Sequence, residues 1–464
     1  MIFNSFVFIF LFLPVTYLVF WSLRTAQWRY VWLTISGYVF YGYWDPRFCL
    51  LMAFSTIVSY TAGRLFLTNP SPAARKWILI VPVTIDLLLL GFFKYAGFAL
   101  RSTQQAIDFF GGTTQLPVLD IVLPIGISFY TFHTISYIVD SYRGVITPTR
   151  KFFEFSSYVS LFSQLVAGPI VRFRQIEKDL DNLGHVNRKQ WALLGLSWFA
   201  WGLVEKVLVA DSLAHYVDAG FGHPQDLTTA SAWLVMLGYT FQLYFDFCGY
   251  SDMAVGLGFL FGLRIPLNFN SPYRSLNPSD FWRRWHISLS SCLRDYLYIS
   301  MGGNRGSTFG TYRNLFLTML IGGLWHGANW TFVLWGAYHG GLLIAYRLFG
   351  TQWDRLPKAA ATALTFLLVV LGWVLFRAPS LAAAGEVYAS MFHFVPGVNI
   401  ADAGQLALLV AVAGAYAIWG PNAQEAHENF RPSYSWSYIA ATAYGACLSI
   451  MAGGRSSPFL YFQF

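Results

Sequence analysis

Long apolar runs recur along this chain and restrict what it can fold into more than any other feature of the sequence. A helix needs roughly 20 apolar residues to cross the hydrocarbon core of a bilayer. Runs that reach or approach this length lie at Phe3–Leu23, Trp77–Leu100, Val118–Val139, Phe155–Ile170, Trp191–Ala210, Ala230–Phe261, Ala359–Phe376 and Tyr438–Ala452. Because these runs are continuous rather than alternating, they predict membrane-spanning helices instead of strands.

Further apolar runs bring the predicted number of membrane passes to about ten to twelve. The stretch Leu315–Tyr346 is long enough for two broken or tilted helices. Shorter runs that suit re-entrant or partial spans lie at Val31–Tyr43, Phe48–Tyr60 and Leu406–Trp419. The sequence therefore predicts an all-α polytopic membrane protein, with one membrane domain over residues 1–464.

The charge of the chain supports a membrane protein and excludes a nucleic-acid partner. Charged residues make up 11% of the chain, against about 25% in ordinary soluble domains. The formal net charge is +8, but lysine and arginine lie in short loops between apolar runs and do not follow one groove. Arg24 and Arg29 follow the first run directly, so the positive-inside rule predicts a cytoplasmic first loop and an N-terminus outside.

Residues 264–313 form a region too polar to cross the membrane, and its seven arginines predict that it faces the cytoplasm. Asn277 and Pro278 are typical of a helix start, as N-cap and first-turn residue. The helix that follows is predicted to be amphipathic, at the membrane surface or in the mouth of a bundle. Its apolar face would hold Trp282, Trp285, Leu289, Leu293 and Tyr296, and its polar face Arg284, Ser288, Ser291 and Asp295.

His326 is the strongest candidate for chemistry. It lies in an apolar stretch about thirteen residues after Arg313, which corresponds to roughly 20 Å of helix. An ionisable group at that depth normally faces a protein-lined cavity and has a function. Imidazole titrates near neutral pH, so it can take a proton from a hydroxyl and return one to a leaving group. The alternative is a structural histidine that is hydrogen-bonded between helices.

Two further histidines are weaker candidates. His286 lies at the border of the apolar face of the predicted amphipathic helix, near Arg283 and Arg294. A histidine in such a position more often has a packing role than a catalytic one. His339 is thirteen residues after His326, about 220° around a straight helix, so the pair cannot share a metal ion there. The four cysteines show no metal-ligand spacing and no disulfide framework, and no metal site is predicted.

A few charged residues lie in apolar context within the predicted spans. Glu205 beside Lys206, and Asp246 near Asp252, could line an interior path. They could equally form buried hydrogen-bonded structure, and the sequence does not decide between the two.

Several segments together resemble the membrane-bound O-acyltransferase family, and in particular its bacterial branch associated with alginate O-acetylation. The resemblance rests on residues 281–290, 293–298, 302–305 and 323–329, with further matches at 123–130, 165–169, 242–252 and 457–464. It extends over nearly the whole chain, and the combination of segments is highly specific.

The resemblance implies a helical bundle with a thinned centre and a funnel, in which a cytoplasmic acyl donor meets an acceptor from the other side. His326 matches the essential histidine of the family, and His286 matches its second signature position, which is often Asn or Asp elsewhere. We expect both to be catalytic. Residues expected to line or support the channel are Trp325, Asn329, Arg284, Arg294 and Asp295.

The tail at 457–464 implies one further role. A related D-alanyl-transfer system uses a similar C-terminal motif with a tyrosine that is thought to carry the acyl group. By analogy, Tyr461 would accept acetyl and relay it outward. The alternative is an aromatic anchor at the membrane interface.

The expected function is an acetyltransferase of the bacterial inner membrane that serves an exported polysaccharide such as alginate or acetylated cellulose. Acetyl-CoA, or another cytoplasmic donor, would be a substrate, with no tightly bound cofactor. The expected partners are a periplasmic acetyltransferase, the exopolysaccharide synthesis and export machinery, and membrane lipid. The alternatives are a D-alanyl or peptidoglycan acyltransferase of the same fold, and a non-catalytic transporter of polymer or lipid carrier.

Overall fold

The computed structural model describes residues 1–428, 433–454, 457 and 459–460, and these contain helices and no strand. The prediction of an all-α protein is confirmed. The chain divides into two units, the first made of Met1–Gly195 with Leu257–Pro266, and the second of Leu196–Gly256 with the residues from Leu267 onward. The sequence boundaries between the units within residues 188–260 fall inside two long helices, Arg188–Gly222 and Thr229–Leu260.

The first unit is built on eight helices. They are α1 Phe8–Ser22, α2 Ala26–Gly42, α3 Arg47–Phe66, α4 Pro72–Phe109, α5 Ile127–Arg143, α6 Phe152–Val159, α7 Phe162–Leu165 and α8 Phe173–Asp181. The buried carboxylate of Asp86 ties three of them together, because it accepts hydrogen bonds from Ser55 Oγ and Thr134 Oγ1, both at 2.7 Å. These bonds compensate for the burial of a charged group among apolar helices.

The second unit holds the remaining helices and the predicted chemistry. After α9 Arg188–Gly222 and α10 Thr229–Leu260 come α11 Pro278–Arg284, α12 Ile287–Cys292, α13 Thr308–His326, α14 Trp330–Trp353, α15 Lys358–Arg377, α16 Leu381–Phe392, α17 Ala403–Trp419, α18 Ala423–Glu428 and α19 Tyr434–Ala452. A π-helical turn, Leu293–Tyr298, continues α12.

Glycines set two close helix contacts in the second unit. A Cβ on Gly202 of α9 would lie 2.3 Å from the carbonyl oxygen of Gly249 on α10. In the same way, a Cβ on Gly323 of α13 would lie 2.3 Å from the carbonyl oxygen of Phe332 on α14. Only glycine permits backbones to approach this closely, as is common between membrane helices.

Four helices among the described residues are long and apolar enough to cross a membrane: Arg47–Phe66, Pro72–Phe109, Arg188–Gly222 and Lys358–Arg377. Three shorter apolar helices are Phe8–Ser22, Ala403–Trp419 and Tyr438–Ala452. The chain is thus a multi-pass membrane protein, whereas the total number of passes and the single membrane domain stay predictions.

Three of the predicted spans need correction. The run Val118–Val139 is helical only from Ile127, where α5 begins. The run Phe48–Tyr60, expected to be partial, belongs to the full-length helix α3. The run Phe155–Ile170 is not a spanning helix, since α6 ends at Val159 and α7 has only four residues. All of these residues are buried inside the first unit, so their apolar character serves the protein core and not contact with lipid.

The continuous amphipathic helix predicted after Asn277 is also wrong beyond its first turns. Asn277 does cap α11, accepting from the backbone N–H of Asp280. The helix ends at Arg284, and His286 adopts a left-handed conformation with φ +44° before α12 begins. The cause lies outside the segment: Asn268 accepts from the N–H groups of Ile287 and Ser288, which a continuous helix would need for its own bonds.

Candidate active site

His326 is the last residue of α13, at the point where the long apolar run breaks. Gly327 is extended, and α14 begins at Trp330, so the prediction of two helices over this run is confirmed. The imidazole is 4% exposed and packs among aromatic rings, with ring centroids 5.0 Å from Trp335 and 5.2 Å from Phe376. The end of α13 therefore places an ionisable group, the imidazole of His326, among apolar rings.

A cavity of about 340 Å³ connects His326 with exposed polar groups. Three arginines line it together with the histidine: Arg283, Arg294 and Arg347, all exposed. Arg347 donates to Asn304 Oδ1 at 3.1 Å, and Arg294 pairs with Asp295 at 2.7 Å. The cavity thus joins a buried imidazole to a cationic lining that suits an anionic ligand.

His286 lies beside His326 but does not line this cavity. The two ring centroids are 6.3 Å apart, and His286 is completely buried. Its Nδ1 lies 3.1 Å from Asn268 Oδ1, which can only accept, so Nδ1 carries the proton and Nε2 keeps a lone pair. Burial lowers the pKa of His286 to about 3, so the ring is neutral at physiological pH.

Asn268 holds His286 in place, and it was not among the predicted site residues. Its Oδ1 also accepts from Ser288 Oγ at 2.8 Å, and its amide donates to Ser251 Oγ at 3.2 Å. One asparagine therefore fixes both the ring and the unusual backbone of His286. The only sequence signal for this role is a polar residue within the apolar stretch 265–269.

The expected support residues take different positions. Trp325 packs against both histidines, 5.1 Å from His326 and 6.0 Å from His286, ring centre to ring centre. Asn329 caps α14, accepting from the N–H of Thr331 and donating to the carbonyl of Pro379. Arg284 pairs with Asp280 at 3.0 Å. The structure thus brings Trp325 and Arg294 to the site, while Asn329 and Arg284 hold helix ends.

His339 stands on α14, a different helix from His326, so the straight-helix geometry assumed for the pair does not apply. Its ring lies 4.8 Å from Trp335 and 5.2 Å from Trp282. Among the residues that line the arginine-rich cavity, His326 appears and His339 does not.

The charged residues whose role the sequence left open form two buried clusters. Lys206 pairs with Asp211 and Asp246, at 2.6 and 2.5 Å. Separately, Glu205 accepts hydrogen bonds from Trp201 and Tyr416, both at 3.1 Å. The ligand atoms of Glu205, Cys248 and Asp252 lie within 4.8 Å of one another, a grouping of a kind that can hold a metal ion.

Tyr461 lies outside the described residues, and its role as a relay stays a prediction. The residues just before it are described at Ser457, Phe459 and Leu460.

Fold and site together define a polytopic membrane protein with a buried histidine in an arginine-lined cavity. The sequence model of the membrane-bound O-acyltransferase family matches residues 145–382, which include both histidines. A probable alginate O-acetylase from Pseudomonas aeruginosa is 49% identical over 85% of this chain and 75% of its own length. A protein of the same description from Pseudomonas putida is 42% identical over the full length of both chains.

A peptidoglycan O-acetyltransferase from Helicobacter pylori is also similar, at 38% identity over 84% of this chain and 80% of its own. The chain therefore belongs to the membrane-bound O-acyltransferase family, as the sequence motifs indicated. It is an O-acyltransferase, which sets aside the alternative of a non-catalytic transporter.

Proposed function

We propose that this protein is an O-acetyltransferase of the bacterial inner membrane, which takes acetyl from cytoplasmic acetyl-CoA for the modification of an exported polysaccharide. The observation that carries the proposal is the cavity that His326 shares with Arg283, Arg294 and Arg347. A thioester donor with several phosphates needs both features, a proton-transfer group for the reaction and cations for its phosphates.

In the proposed reaction, His326 takes the proton from an acceptor hydroxyl as its oxygen attacks the thioester carbonyl. An oxygen–carbon bond forms, the carbon–sulfur bond breaks, and the imidazolium returns the proton to the leaving thiolate. The products are an acetyl ester and free CoA. The apolar rings around His326 exclude water, which would otherwise compete as acceptor.

His286 would act from the other side of the same centre. It is neutral, and its Nε2 has no hydrogen-bond partner among the described residues. A ring fixed in this tautomer can accept a hydrogen bond from an incoming hydroxyl and so orient the acceptor.

Alginate is the first polymer to test, because the relatives from Pseudomonas aeruginosa and Pseudomonas putida are both described as probable alginate O-acetylases. Acetylated cellulose fits the same chemistry. Tyr461 would carry acetyl outward as an ester, and a periplasmic acetyltransferase would complete transfer to the polymer. This arrangement has the N-terminus in the periplasm and contacts with the polysaccharide synthesis and export machinery.

Peptidoglycan is a second candidate acceptor, since the Helicobacter pylori relative is described as a peptidoglycan O-acetyltransferase. A D-alanyl donor on a carrier protein is the third alternative. Purified protein in proteoliposomes would be given radiolabelled acetyl-CoA or a D-alanyl carrier-protein thioester, and label transfer would be measured for each.

The decisive test is acetyl ester on the exported polysaccharide in cells that carry His326→Ala, with protein level and polymer yield measured in parallel. Loss of the ester with normal protein and normal polymer supports the proposal. Retained ester contradicts the mechanism, and transfer only from the D-alanyl carrier would replace acetyl-CoA as donor.

A further inference from the structure

The buried cluster around Lys206 contains more negative than positive charge. Lys206 is 1% exposed at its side chain and pairs with Asp211 and Asp246, each of which is almost fully buried. Burying ions is costly, and close pairing only partly offsets that cost. Such a cluster adds little to stability compared with apolar residues of the same size, but its directional bonds can fix one arrangement of the chain.

Further hydrogen bonds of this cluster reach the described residues near the C-terminus, Ser457 and Leu460. Lys206 Nζ donates to the carbonyl oxygen and to Oγ of Ser457, at 3.2 and 3.3 Å. Ser457 Oγ donates to Asp211 Oδ1 at 2.5 Å, and the backbone N–H of Leu460 donates to Asp246 Oδ2 at 2.9 Å. Each of the three charged residues thus binds a residue of the C-terminal segment, which we define by Ser457, Phe459 and Leu460.

The same segment packs toward His286. Phe459 and Leu460 are 2% and 3% exposed, and the ring of Phe459 stacks on Tyr250 with centroids 4.5 Å apart. Phe459 also lies 6.0 Å from Phe247, whose ring meets His286 edge-on at 4.7 Å. One aromatic ring therefore separates the end of the chain from the second histidine of the active site.

The aromatic contacts and the charged hydrogen bonds hold the segment in different ways. Ring packing between Phe459 and Tyr250 is favourable but tolerates sliding, because a ring face has no directional donor or acceptor. The bonds from Lys206 and Asp246 are directional and charge-assisted, so they fix the register of the backbone. A shift by one residue would leave a buried carboxylate or ammonium without its partner, which is costly.

We propose that Lys206, Asp211 and Asp246 form a clamp that holds the C-terminal segment against the His286 side of the active site. The three act as positioning residues for acyl transfer, since they act through the segment and Phe247 and do not touch the reacting groups. The inference rests on the proposed function for its catalytic consequence, but docking of the segment can be measured without any reaction.

The test uses Ser457→Asp, which adds a third carboxylate beside a single ammonium and leaves the helical core untouched. In the full-length protein in nanodiscs, hydrogen exchange of the C-terminal peptide should become at least about tenfold faster than in the wild type. Ala401→Asp adds the same charge at an exposed loop position and should leave that exchange unchanged.

Charge balance provides a rescue. Ser457→Asp combined with Asp211→Asn restores two carboxylates to one ammonium, so the double variant should regain slow exchange. For acetyl-CoA turnover, Ser457→Asp should lower kcat at least about tenfold with KM unchanged, because the arginine-lined cavity is not altered. The double variant should recover most of that loss.

Unchanged exchange in Ser457→Asp would overturn the clamp, and so would fast exchange with normal kcat. Assaying His326→Ala in parallel separates failure of the clamp from failure of the proposed acetyl transfer. If His326→Ala is inactive and Ser457→Asp is fully active with a released segment, only the clamp fails. If His326→Ala stays active, the proposed acetyl transfer fails, whatever the segment does.

Discussion

His286 and His326 lie 6.3 Å apart, ring centre to ring centre, yet only His326 lines the cavity. His286 is fully buried beside it, with its ring against Phe247 and its Nδ1 at Asn268 Oδ1. The two imidazoles are therefore neighbours with different surroundings. His326 faces the cavity, and His286 is enclosed by protein side chains. This geometry separates the roles that the two histidines can take.

Removing the cavity histidine should affect chemistry far more than removing its neighbour on the next helix. His326→Ala is expected to lower acetyl transfer at least about 100-fold, the lower range for loss of general acid–base catalysis. His339→Gln is the matched control, since His339 is equally buried in the same aromatic cluster but does not line the cavity. Turnover per amount of folded protein is the measurement, and equal losses in both variants would show that the effect is structural.

Asn268 should matter through the orientation of His286. Asn268→Ala leaves the buried Nδ1–H of His286 and the hydroxyl of Ser288 without their acceptor. If reorientation of the ring costs about 1.4 kcal/mol, kcat falls about tenfold with little change in KM. Ser251→Ala removes only the outer bond of the same amide and should leave kcat within about twofold. Similar kcat values for the two variants would contradict the orienting role.

Burial of His286 predicts a dependence of stability on pH. The pKa of the ring is about 3 in the folded protein and about 6.5 when unfolded, so between these values the unfolded state binds more protons. The free energy of unfolding should therefore decrease as pH falls from 6.5 toward 3, by up to about 1.4 kcal/mol per pH unit from this group. His286→Asn removes the contribution and keeps a residue that tolerates positive φ.

The measurement for this prediction is thermal unfolding of both proteins in nanodiscs at pH 7, 6 and 5. The difference between wild type and His286→Asn should change steadily across that range, because other buried groups titrate equally in both. Parallel curves would show that His286 does not stay neutral through burial.

The arginines of the cavity should affect donor binding rather than chemistry. Arg347→Gln is expected to raise KM for acetyl-CoA about tenfold, equivalent to about 1.4 kcal/mol, with kcat nearly unchanged. The effect should shrink at high salt, since Arg347 is exposed and its charge is screened. Arg305→Gln removes an exposed arginine that is not among the cavity-lining residues. An equal rise in KM there would indicate a general charge effect and not a donor site.

Local patterns predicted the parts of the molecule that depend on neighbours in the chain. The length of the apolar runs predicted long membrane helices such as α4 and α15, and Asn277 with Pro278 predicted where α11 begins. The apolar residues that flank His326 in the sequence made it a functional candidate. Each of these features depends on residues that are close together in the sequence, where spacing directly fixes geometry.

Tertiary contacts decided what the patterns left open or predicted wrongly. The break at His286 depends on Asn268, eighteen residues earlier, whose acceptors compete for the N–H groups of a continuous helix. The partners of Lys206 lie 5, 40 and 251 residues away, at Asp211, Asp246 and Ser457. The sequence alone determined that this chain is a helical membrane protein, and it made His326 a candidate for chemistry. Which polar groups meet inside it was decided by folding, because burial makes every unpaired charge costly and only the packed chain brings distant partners together.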